Sequence, residues 1–222
     1  MSRGVLIAFE GIDGSGLTTH SRLLVEWLNS MGYKSLWTKE PTDNSPFSGL
    51  LKSLLRRGNV NHFSLGLLFA ADRMWHLLED PSLPGNGIIG ALSSGYVVVT
   101  DRYKYSSMAY QGSFTGIDYI WAINSRAPRA DVLVYIDVPV DLALKRIEER
   151  GAIPDIYEKR ELLTAIKESF KTVLSHAKKE GALVIEVSPV RGDREMPIHT
   201  VQNEIRNRVV EYLKTVKETT RA

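Results

Sequence analysis

The sequence predicts an α/β protein: a three-layer sandwich in which a five-stranded parallel sheet is flanked by helices, with a short lid. Three observations point there. The apolar runs VLIAF, YVVV and VLVYI have strand length and no polar alternation, as strands buried on both faces do. They alternate with longer segments of helical spacing, the pattern of repeated βα units. A glycine-rich stretch follows the first run directly and leads into a helical pattern.

In order along the chain, a strand is expected at 5–9 and a helix at 17–31, stopping at Gly32. A second strand falls at 35–38. Ser45 and Pro46 read as an N-cap and a first-turn proline, opening a helix that ends near Arg57. A helix at 63–78 contains FAADR, and strands follow at 96–100 and 132–136. The longest helix is expected at 159–180, and the fifth strand at 183–187. Val201, Ile205, Val209, Tyr212 and Val216 share one face of a final helix. Residues 145–160 hold Gly151, Pro154 and several charges between two helices, so the lid is placed there. Residues 189–197 receive no element. One domain over 1–222 is expected.

Composition narrows the function. The chain has 222 residues, 43 % hydrophobic and 24 % charged, and no cysteine. That excludes disulfides, thiol nucleophiles and cysteine-ligated metals. A net charge of +2 from 28 basic and 26 acidic residues argues against a nucleic-acid coat and against nucleic acid as partner. No apolar run nears the ~18–20 residues that span a bilayer, and the first apolar stretch is short for a signal peptide. No membrane partner and a cytoplasmic location are therefore expected.

The stretch Gly11-Ile12-Asp13-Gly14-Ser15-Gly16-Leu17-Thr18-Thr19 follows the phosphate-loop (P-loop) pattern G-x-x-x-x-G-K-[ST] except at one place. The glycines let successive N–H groups face phosphate oxygens, and the following helix N-terminus favours anions. Thr18 supplies the metal-binding hydroxyl. Leu17 stands where the lysine belongs, so one positive charge is missing from the transferring phosphates. Either the loop has lost its function or another cation has taken the lysine's part.

A second constellation lies downstream. Thr100-Asp101-Arg102-Tyr103 ends the third strand, where open α/β sheets bind ligands. Phe69 and Arg73 stand at i and i+4 on one helical face. A core phenylalanine and a solvated arginine are the plain reading; a ring and a guanidinium able to hold a flat base are the other.

Taken together, FEGIDGSG, KEP, FAADR, DRY, SSMAYQG, IDVP and YEKR resemble the thymidylate kinase family of nucleoside monophosphate kinases, over about residues 5–170. The resemblance implies transfer of the γ-phosphate of ATP to dTMP with Mg2+, in a P-loop α/β fold and commonly a homodimer. By the same resemblance Phe69 would stack on thymine and Arg73 would bond its O4 edge. Ser107 would touch the base, and Tyr110 would crowd the 2′ position. Asp13 would sit near the 3′-hydroxyl, with Gln111 a further neighbour of the acceptor. Arg102 would hold the acceptor phosphate. Asp101 and Thr18 would hold the metal, with Glu10 near it. Lys39 would join the dTMP site; it stands where bacterial members usually carry arginine, and a lysine meets phosphate without the bidentate fork. Gly14 stands where some members carry a loop arginine, so the lid residues Arg146 and Arg150 become the candidates to stabilise the transferring group. A weak or inactive nucleotide-binding relative, and a kinase for another nucleotide or nucleoside, stay open as alternatives.

Overall fold

The computed structural model describes residues 4–57, 60–151 and 155–221. Its centre is a five-stranded, all-parallel sheet in the order β2-β3-β1-β4-β5. The strands are β1 Val5–Glu10, β2 Ser35–Lys39, β3 Val97–Asp101, β4 Val132–Ile136 and β5 Leu183–Val187. Strands β1, β3 and β4 are buried along their whole length, which is why they read as unbroken apolar runs. Alternate residues divide between two cores. Leu6, Ala8, Val98 and Leu133 face one side; Ile7, Phe9, Val99 and Val134 face the other.

Helices cover both sides. On one, α1 (Leu17–Ser30) and α10 (Ile198–Arg221) supply Leu24, Leu28, Ile205 and Val209 to the core. The other side carries α3 (His62–Leu78), α4 (Ile88–Ser93), α5 (Lys104–Tyr110), α8 (Val140–Arg150) and α9 (Arg160–Lys179), which contribute Leu65, Ile88, Met108, Ile147 and Phe170. The remaining helices are α2 (Ser48–Arg57), α6 (Gly112–Thr115) and α7 (Ile117–Ile123). Among the described residues no helix is long and apolar enough to cross a membrane.

Several expectations need correction. The longest helix is α10, with 24 residues against 20 for α9. The second helix starts at Ser48 rather than after Ser45; residues 46–47 form a turn before it, in which the Ser45 hydroxyl accepts the Phe47 N–H at 3.2 Å. Residues 145–150 of the expected lid form the end of α8, capped by Gly151 in the left-handed region. Pro154 lies outside the described residues. Residues 189–197 contain a hairpin, β6 (Val190–Arg191) and β7 (Arg194–Glu195).

Candidate active site

The phosphate loop, KEP and DRY meet at the carboxyl end of the sheet, because parallel pairing puts the ends of β1, β2 and β3 there. Register sets Phe9 beside Asp101 and Asp101 beside Lys39. Two cavities open at this edge.

The first is an open cleft of about 1030 Å³ around the glycine loop. Residues Ile12 to Thr19 line it, with Lys39, Asp101, Arg102, Arg146 and Arg150. Gly11 is not part of the lining. It sits behind the loop at φ 159°, where a side chain would meet Ser15 Oγ at 2.7 Å and the Ile136 carbonyl at 2.9 Å. Gly14 has φ 79°, and a Cβ there would lie 2.4 Å from the Ala143 carbonyl. The loop is thus pressed onto α8, and glycine at 14 is a steric requirement. Ser15 Oγ is buried in the loop without a hydrogen-bond partner, an atom left for a ligand.

Thr18, in the first turn of α1, donates to Asp101 Oδ2 at 2.5 Å. A hydroxyl and a carboxylate side by side at a phosphate loop are hard oxygen donors of the kind magnesium takes. The residues present therefore fit that ion.

Leu17 borders the cleft but offers it no charge. It is 5 % exposed and packs with Ile7, Phe9 and Leu24. Leu17→Lys is therefore expected to destabilise the protein by about 1–3 kcal/mol, in the range of ordinary core disruptions, without raising kcat. Thermal unfolding and an ADP-release assay check both parts. A rise in kcat would show that the pocket lacked only the lysine.

The second cavity, of about 470 Å³, adjoins the first and shares Asp13, Glu40 and Arg102 with it. Arg102 is the hinge between them. Its backbone is left-handed, with φ 70°, a conformation that costs a non-glycine residue about 1–3 kcal/mol. It is held there by its N–H on the Phe9 carbonyl at 3.0 Å and by the Thr100 hydroxyl on its own carbonyl at 2.7 Å. The guanidinium donates to Gly11 O and Ser106 Oγ, both at 3.0 Å, and to Asp13 Oδ1 at 2.7 Å. Burial opposes its charge, but Tyr110, Asp13, Asp101 and Glu10 outweigh that and raise its pKa. The other oxygen of Asp13 accepts from Tyr110 OH at 2.9 Å; burial keeps that phenol protonated.

Arg73 is 2 % exposed. Its Nε donates to Glu40 at 2.7 Å, Nη1 to Asn124 at 2.5 Å and Nη2 to Ser107 at 3.1 Å. Three of its five N–H groups are thereby fixed, and the rest are aimed by the same frame. Phe69 lines this cavity with Arg73, as do Ser107, Tyr110 and Gln111. Gln111 donates to Tyr157 OH at 3.1 Å, while its Oε1 has no partner.

Two candidates fall elsewhere than the resemblance suggests. Lys39 lines the loop cleft, not the second cavity, and is paired with Asp43 at 2.7 Å. Glu10 lines neither cavity. It is fully buried, accepts from Tyr103 N at 2.9 Å and Ser106 Oγ at 2.5 Å, and burial pushes its carboxyl up to about 8. It is a scaffold beneath Arg102. Sequence reasoning missed Glu40, Tyr103, Ser106, Asp155 and Tyr157 as wall residues of the second cavity. KEP, DRY, SSMAYQG and YEKR contain four of them, so the motifs held the signal. Asp155 had none; burial and the nearby Asp13 push its carboxyl up to about 6.

A loop that fits phosphates, sharing a wall with a second cavity that offers a ring and an aimed guanidinium, defines a P-loop nucleotide kinase. The fold agrees: the chain superposes on the thymidylate kinase of Candida albicans with a TM-score of 0.72, at 22 % identity, covering 98 % of this chain and 94 % of that one. Residues 9–192 match the sequence model of the family described as thymidylate kinase. A protein of Aeropyrum pernix bearing that name is 44 % identical over 210 residues, 94 % of this chain and 97 % of the relative. One of Pyrococcus horikoshii is 41 % identical over 176 residues, 76 % and 82 % of the two chains. The chain belongs to the thymidylate kinase family.

Proposed function

We propose that the protein transfers the γ-phosphoryl group of ATP to dTMP, giving ADP and dTDP. The carrying observation is the wall at Asp13 and Arg102 common to both cavities, which lets two phosphates meet across one guanidinium. An oxygen of the dTMP phosphate forms the new bond to Pγ. The bond from Pγ to the β–γ bridging oxygen breaks, and its electron pair leaves on ADP. The attacking phosphate is already anionic, so the protein's task is placement and charge neutralisation.

Each side chain then has a role. Residues 12–19 cradle the ATP phosphates through backbone N–H groups, with Gly11 behind them. Thr18 and Asp101 would hold Mg2+, which would supply charge neutralisation for the phosphates. Arg102 holds the acceptor phosphate by charge-assisted bonds. Arg146 and Arg150 stabilise the transferring group, and Lys39 adds charge at the cleft. Phe69 stacks on thymine and Arg73 donates to its O4. Ser107 and Gln111 complete the base side, and Tyr110 with Asp13 faces the sugar. Exposed Phe63, Leu67 and Leu78 on α3 support the homodimer the resemblance implies.

The test is an ADP-release assay with dTMP, dUMP, dGMP, dCMP and thymidine in parallel. Turnover with dTMP and none with thymidine is expected; thymidine turned over without dTMP would overturn the reading. In the same assay Phe69→Ala should raise KM for dTMP roughly 5- to 150-fold, the equivalent of about 1–3 kcal/mol of base stacking. KM for ATP should hold. An unchanged KM for dTMP removes Phe69 from the base site.

A further inference from the structure

Arg146 lies against the phosphate loop. From the last half of α8 its Nη1 donates to the carbonyl of Gly14 in the phosphate loop at 3.1 Å, and its Nη2 to Glu195 Oε1 at 2.5 Å. The same Nη1 lies 4.0 Å from where a Cβ on Gly16 would stand. The guanidinium therefore sits at the mouth of the loop, next to the position where the lysine is replaced by Leu17. Arg150, one turn further along α8, is instead tied to Glu158.

Glu195 comes from an unrelated part of the chain. It ends β7 of the small hairpin, whose strands are joined by a turn at Gly192, φ 58°, and closed at the base by Met196 N–H on Pro189 O at 2.7 Å. A loop carbonyl alone would leave a long arginine side chain many rotamers. Two acceptors on different Nη atoms define the guanidinium plane, and they leave three N–H groups for a phosphate.

We infer that Glu195 is a positioning residue for phosphoryl transfer, holding the Arg146 guanidinium over the phosphate loop in the place vacated by the lysine. The inference rests on the reading of Arg146 as a cation for the transferring group. The neighbouring His20 adds no competing charge at neutral pH, since burial and Arg146 lower its pKa to about 4. The Arg146 side chain is 27 % exposed and that of Glu195 52 %, so each can be changed without opening the core.

Steady-state kinetics on Glu195→Gln, Arg146→Ala and the double variant decide the matter, with unfolding temperatures recorded for each. Glu195→Gln should lower kcat about two- to fivefold, the size of one partly exposed charged contact. KM for dTMP and the unfolding temperature should stay at their original values. In the Arg146→Ala background the same change should do nothing further. Glu195→Gln with unchanged kcat, or an equal loss in both backgrounds, overturns the positioning role while Arg146 keeps its own. Full kcat in Arg146→Ala overturns the reading of Arg146 itself, and the inference with it.

Discussion

Asp101→Ala is expected to lower kcat by about 10²–10³-fold or more, the cost typical of removing one preorganised group from a reacting centre. Asp101 ends β3, is 7 % exposed, and its carboxylate receives the Thr18 hydroxyl at 2.5 Å. It belongs to the loop cleft and not to the cavity that holds Phe69 and Arg73. The loss should therefore appear in kcat, with KM for dTMP within a few-fold. Asp101→Asn keeps the shape and removes the charge. It should fall nearly as far if the carboxylate serves the metal, and raising the magnesium concentration should recover part of the rate. An asparagine variant with full activity would reduce Asp101 to a partner for Thr18.

Arg73→Ala should destabilise the protein by about 3–5 kcal/mol, the usual result of breaking a buried ion pair from one side. For a chain of this length that corresponds to roughly 6–20 °C in unfolding temperature. The variant leaves Glu40, 5 % exposed, with His76 Nδ1 at 3.2 Å as its remaining side-chain partner in this network, and strips the partner from Asn124 Oδ1. Arg73→Met with Glu40→Gln should recover part of the loss, because no uncompensated charge is then buried. A drop below about 1 kcal/mol for Arg73→Ala would mean that water reaches Glu40 on truncation. Because the same guanidinium is proposed to read the base, KM for dTMP should rise in both variants, whichever way stability moves.

The strands were legible because burial on both faces leaves a run of apolar residues whatever the neighbours are. β4 and β5 match their expected bounds, β1 and β2 each extend one residue further, into Glu10 and Lys39, and β3 is shifted by one, starting at Val97 and ending at Asp101. Those extra residues are polar, so periodicity could not include them; pairing with an adjacent strand does. Helix α10 was under-read for a related reason. Its N-terminal start depends on where the β6–β7 hairpin ends, and two-residue strands leave no periodic trace.

The sequence by itself determined the layer architecture, the phosphate loop and the residue types at the strand ends. Each follows from local physics: glycine conformations, apolar periodicity, and a helix that begins where a loop ends. Only the tertiary structure decided which charges meet. Arg73 finds Glu40, Asn124 and Ser107 at separations of 33, 51 and 34 residues, and Arg146 finds Glu195 across 49. No spacing rule links such pairs, because their contact is set by strand order and helix packing. Leu17 shows the division most plainly. One line of sequence reveals a missing charge, but whether the residue points at phosphate or into the core depends on the apolar face that α1 lays against β1, and burial settles it for the core.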